Sequence, residues 1–103
     1  MQLSYTVAAE FNDEQMAQAW LNWLRGGHIA QVIAGGATTA EIVHLDGEPN
    51  RYEVRYDFPS REVFEDYERD HAPRLRAEGA ALFPSEKGVV YRRTTGVVIG
   101  EFE

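Results

Sequence analysis

The residues with the chemistry to hold or transform a ligand fall into two stretches, Trp20 to His28 and Tyr67 to Arg76. In the first, Trp20 and Trp23 each offer a large apolar face and one N–H donor, and His28 follows. In the second, Tyr67 and His71 stand one helical turn apart, with Arg74 and Arg76 beyond them. Imidazole titrates nearest to neutral pH, which makes His28 and His71 the acid/base candidates. Both fall toward the C-terminal end of a helical pattern, where a cation gains about 0.3 to 1 kcal/mol from the macrodipole. There each ring can equally cap its helix by donating to the last carbonyls. Arg74 and Arg76 can clamp a carboxylate through parallel N–H bonds, or pair with Asp70 and Glu78. Two histidines without a carboxylate at matching spacing are a poor zinc pattern, so no metal is expected. Nor is there a phosphate-cradling glycine loop or a serine elbow, and no cofactor is expected. The site these residues predict takes a small apolar or aromatic ligand between the second helix and a sheet. His71 and Tyr67 form its wall, Trp20 or Trp23 its floor, and His28 and Arg74 are further candidate contacts. The alternative for the tryptophans is simple core packing.

The elements that must carry these residues are legible from periodicity. Leu3, Tyr5 and Val7 alternate with Gln2, Ser4 and Thr6, which predicts a strand. Asn12 is an N-cap candidate, Gln15 can complete a capping box, and Phe11 can staple onto Met16. Met16, Trp20, Trp23 and Leu24 then recur at helical steps. Gly26 and Gly27 weaken or kink that helix, which resumes through Ile29, Val32 and Ile33 until Gly35 and Gly36 stop it. Thr38 to Leu45 and Arg51 to Phe58 read as a hairpin around the turn residues Asp46, Gly47, Pro49 and Asn50. Ser60 opens a second helix with Val63, Phe64, Tyr67 and His71 on its inner stripe, and Pro73 ends it or begins a short turn. Gly88 to Phe102 predicts one long strand with Gly96 and Gly100 as bulges.

The resulting order, β-α-β-β-α-β, predicts one α+β domain over residues 1–103: a ferredoxin-like sandwich, four antiparallel strands with two helices on one face. The bare face should carry Ser4, Thr6, Glu53 and Arg55, small and mixed in charge. That composition predicts a homodimer through sheet faces, a dimeric α/β barrel, with Glu53 and Arg55 able to pair across the two-fold axis and the long last strand able to reach over a partner. Seventeen acidic against ten basic residues give a net charge of −7, which disfavours nucleic acid as a partner. No cysteine is present, so no disulfide framework forms. No stretch approaches the roughly 18 apolar residues of a membrane span, and with no signal-like start a cytoplasmic location is expected.

Two stretches carry a family likeness. One is Trp20-Leu21-Asn22-Trp23-Leu24 with His28-Ile29 and Gly35-Gly36; the other is Tyr67, then Asp70-His71-Ala72-Pro73-Arg74-Leu75-Arg76, then Phe83-Pro84, with the tail Tyr91-Arg92-Arg93. Through them the chain resembles, nearly end to end, a bacterial family of short proteins of unknown function in the dimeric α/β-barrel superfamily. That superfamily is similar to antibiotic-biosynthesis-type monooxygenases and haem-degrading enzymes. The resemblance implies a ferredoxin-like fold, sheet-to-sheet dimers and a pocket between sheet and helices. It supplies no catalytic set residue by residue. Three functions stay open: a small-molecule binding or sensing module, a cofactor-independent or haem-using monooxygenase-like enzyme, and a protein-interaction module whose interior Trp20, Trp23, Tyr56 and Phe64 would fill.

Overall fold

The computed structural model describes all 103 residues, Met1–Glu103. Four strands, β1 (Leu3–Glu10), β2 (Thr39–His44), β3 (Arg51–Phe58) and β4 (Val90–Val97), form an antiparallel sheet in the order β2-β3-β1-β4. Register is regular: Leu3 faces Phe58 on one side and Val97 on the other, and Glu10 faces Arg51 and Val90. Alternation along β1 and β3 decides which face is buried. Leu3, Tyr5, Ala9, Tyr52, Val54, Tyr56 and Phe58 enter the core, while Ser4, Thr6, Glu53 and Arg55 lie on the opposite face. The fold is thus α+β and ferredoxin-like, as the sequence predicts. No helix is long and apolar enough to cross a membrane.

Each expected helix is a bent pair. The first comprises α1 (Glu14–Trp23), a π-helical turn over Leu24–His28, and α2 (Ile29–Ala34). Its N-cap is Asp13, whose carboxylate accepts from the Met16 N–H at 2.8 Å, one residue later than the expected Asn12. A carboxylate at this position gains from the helix dipole as well as from the bond. Phe11 packs on Trp20, with ring centroids 5.2 Å apart. The bend at the π turn is set by Gly27, whose φ of 151° is a conformation that side chains with a Cβ rarely adopt.

The second pair is α3 (Arg61–Asp70) followed by α4 (Ala72–Leu82). Ser60 caps α3 by accepting from the Val63 N–H at 3.2 Å. Pro73 lies in the first turn of α4, where a missing N–H costs nothing. The segment after it is an 11-residue helix and not the short turn expected, because Ala, Leu, Arg and Glu are strong helix formers.

The last strand is shorter than expected. It stops at Val97, opposite Leu3, where β1 begins; beyond that point only Val98 N–H finds an acceptor, the Gln2 carbonyl at 2.9 Å. A strand needs a neighbour to continue, and β4 is at the sheet edge. Gly96 pairs in register with Ser4 and is no bulge, and Gly100 lies outside the strand. Residues 98–103 leave Ile99 and Phe102 exposed at 89% and 94%.

Candidate functional site

Between the inner sheet face and the helices lies a cavity of about 250 Å³. The sheet supplies Tyr5, Val54, Tyr56, Tyr91 and Arg93; α1 and the π turn supply Trp20, Trp23 and His28; Tyr67 of α3 and Arg76 of α4 close the third side. Of the expected site residues, the structure brings Trp20, Trp23, His28 and Tyr67 onto this one cavity. Trp20 is a buried floor at 2% exposure. Trp23 is half-buried and tilts over Phe83 at 5.6 Å.

His28 is not at a helix end. The π turn adds a residue to the helical pitch and rotates the imidazole toward the interior, while the chain continues through α2. Its ring stacks on Trp23 with centroids 4.0 Å apart. Burial, helped by the Arg93 charge, lowers its pKa from 6.5 to about 4, so the ring is neutral at physiological pH. A cap donating as a cation is therefore excluded for this residue.

His71 and Arg74 do not line the cavity. His71 ends α3, its N–H donating to the Tyr67 carbonyl at 2.9 Å. Its imidazole lies over Gly35, where an added Cβ would come 3.1 Å from His71 Cγ and 2.9 Å from Tyr67 Cδ1. That close approach of α2 to α3 requires glycine and leaves His71 between the helices, half-buried on the far side of Tyr67. Arg74 points outward, donating to Gln31 Oε1 at 2.8 Å and lying 3.8 Å from Glu78. The wall expected from His71 is thus made by Arg76, and the helical phase of α4 is the reason: Arg76 is half-buried whereas Arg74 is exposed.

Arg76 donates from Nη2 to Tyr5 Oη at 3.1 Å and to Glu68 Oε1 at 2.8 Å. Tyr67 is held protonated, its pKa pushed up to about 12 mainly by burial. Two buried side-chain atoms in the protein lack a hydrogen-bond partner, His28 Nδ1 and Arg76 Nε, and both belong to cavity residues. Buried polar groups are nearly always paired, so two unpaired atoms on residues of one cavity lining are unusual. Arg93, the other residue missing from the sequence-derived set, lies on the inward phase of β4 with its guanidinium 5.5 Å from the Tyr91 ring centroid. Its alternation was visible in the sequence, but both phases of β4 have similar composition.

No cluster of three His, Cys, Asp or Glu side chains is placed to hold a metal ion. The third histidine, His44, lies away from the cavity on β2, stacked on Tyr52 at 4.5 Å.

Solved structures share this architecture. A dimeric ferredoxin-like protein from an uncultured marine organism superposes with a TM-score of 0.73 at 14% identity, over 98% of each chain. A protein from Deinococcus radiodurans provisionally classed as an antibiotic biosynthesis monooxygenase gives 0.72 at 10% identity, covering 100% of this chain and 97% of that one. SnoaB, a cofactor-independent oxygenase from Streptomyces nogalater, gives 0.66 at 8% identity, covering 97% of this chain and 95% of that one. At such identities the likeness is one of fold. No curated protein matches the chain in sequence. Over residues 2–98 the chain matches the model of the family described as "Domain of unknown function (DUF4286)", and it belongs to that family.

Proposed function

We propose that this protein is a cytoplasmic, homodimeric small-molecule binding or sensing module whose ligand occupies the cavity between sheet and helices. The observation that carries this reading is an open, aromatic-walled cavity of about 250 Å³ whose lining includes His28, Arg76 and Arg93 and no carboxylate. An interaction module with a filled interior is disfavoured, because Trp20, Trp23 and Tyr56 border the cavity without filling it. An apolar void of about 150 Å³ admits benzene, so about 250 Å³ suits a body of one or two rings. A haem is too large for it.

The dimer rests on the bare sheet face. Ser4, Thr6, Ala8 and Gly96 permit close approach. Arg55 pairs with Glu53 at 2.8 Å and Arg51 with Glu10 at 3.3 Å, both within one chain, so the pairing of Glu53 with Arg55 expected across the axis is taken up inside each chain. The marine neighbour is itself dimeric, in keeping with a homodimer.

A second reading is an enzyme of the cofactor-independent oxygenase kind. It is favoured by His28, a neutral imidazole in an apolar pocket able to accept a proton from a bound substrate. NMR titration with one- and two-ring aromatic fragments tests the primary reading. Shifts should concentrate at the Trp20 and Trp23 indole N–H groups and weaken in His28→Ala. Shifts confined to residues outside the cavity would overturn the site. Light scattering at tens of micromolar, a range set by ordinary dimer affinities, should report a dimer; monomer alone would overturn the assembly.

A further inference from the structure

The cavity's charge opposes that of the molecule around it. The chain carries seventeen carboxylates and a net charge of −7, yet no Asp or Glu lines the cavity while Arg76 and Arg93 do. Glu68, behind the wall, takes part of the Arg76 charge through its 2.8 Å bond. Arg93 has no carboxylate within ion-pair distance; its near neighbour is the Tyr91 ring. One positive charge at the cavity is therefore uncompensated, and Arg76 Nε–H is a buried donor with nothing to donate to. The rest of the lining is largely apolar and includes Trp20, Trp23 and Leu24.

Resting on the small-molecule reading, we propose that the ligand is an organic acid: a flat apolar body of about two fused rings bearing one carboxylate. Its body lies among the aromatic side chains of the lining, and its carboxylate faces the guanidinium groups of Arg76 and Arg93. A neutral guest leaves the Arg93 charge uncompensated, and a cationic guest meets two guanidinium groups. A dianion exceeds the single uncompensated charge.

Three probes of equal size decide this by isothermal titration at pH 7 in low salt: 2-naphthoate, 2-naphthylmethanol and 2-naphthylmethylammonium. Naphthoate should bind at least about tenfold more tightly than the alcohol, the ratio a charge-assisted hydrogen bond supplies, and the ammonium should bind weakest. Arg93→Gln, at an exposed edge-strand position, should narrow the acid-to-alcohol ratio severalfold. Added salt should weaken naphthoate and leave the alcohol unchanged. If the alcohol binds as well as the acid, or the ammonium binds best, the acid is overturned while the cavity reading stands. If none of the three binds, both fall.

Discussion

Replacing His28 by Gln should remove one specific component of the protein's acid sensitivity. The His28 ring is neutral in the folded state because its pKa is lowered from 6.5 to about 4, first by burial and then by Arg93. Between those values the unfolded chain binds a proton that the folded one refuses, so stability falls as pH drops through 6.5 and levels off below about 4. The stabilisation is fully present above the unfolded value. The gap sets an upper bound of about 3 kcal/mol, and partial exposure of the ring brings it to about 2 kcal/mol. Urea denaturation at half-unit steps from pH 8 to pH 4 measures it. The native protein should lose about 2 kcal/mol more than His28→Gln across that range. Parallel curves for the two proteins would mean that the ring is solvated or already charged, and the neutral imidazole assigned to the cavity would be wrong.

Three further outcomes follow from the same geometry. Trp20→Ala should cost about 3 to 5 kcal/mol in chemical denaturation, and Trp23→Ala about half as much, because Trp20 is fully buried and Trp23 only half-buried; equal losses would contradict that distinction. Gly27→Ala should cost about 1 to 3 kcal/mol through its backbone angle alone, since an added Cβ there meets nothing within 4 Å; a neutral result would place the π turn elsewhere. Ending the chain after Val97 removes the exposed Ile99 and Phe102, so monomer stability should change by less than about 0.5 kcal/mol, while sedimentation velocity should show a weakened dimer; unchanged dimerisation would free the tail of any role in assembly.

The strands were legible because one face of the sheet is buried. Arg51 to Phe58 alternates without exception, and β3 occupies those eight residues. The end of β4 was not legible, because it depends on where β1 runs out and not on the residues of β4 itself. On the helical side, α4 hides its period. Its buried positions are Ala72, Leu75 and Gly79, two of them too small to mark a stripe, so the phase that turns Arg76 inward and Arg74 outward left no signal in the sequence. The glycines at 26 and 27 announced a bend, but a π turn that swings His28 inward depends on one residue of extra pitch, which composition does not encode.

The site therefore sits where local rules are broken together. A buried donor or acceptor left unpaired costs about 1 to 3 kcal/mol, and a small domain has only about 5 to 15 kcal/mol in total. This protein leaves two such atoms, and both belong to residues that line one cavity whose charge is opposite to that of the whole molecule. Filling that space with a larger side chain, or turning Arg76 outward beside Arg74, would remove the cost. A neutral His28 and a half-satisfied Arg76 line one volume together with Arg93, and the positive charge they bring to it is what an anionic guest would offset.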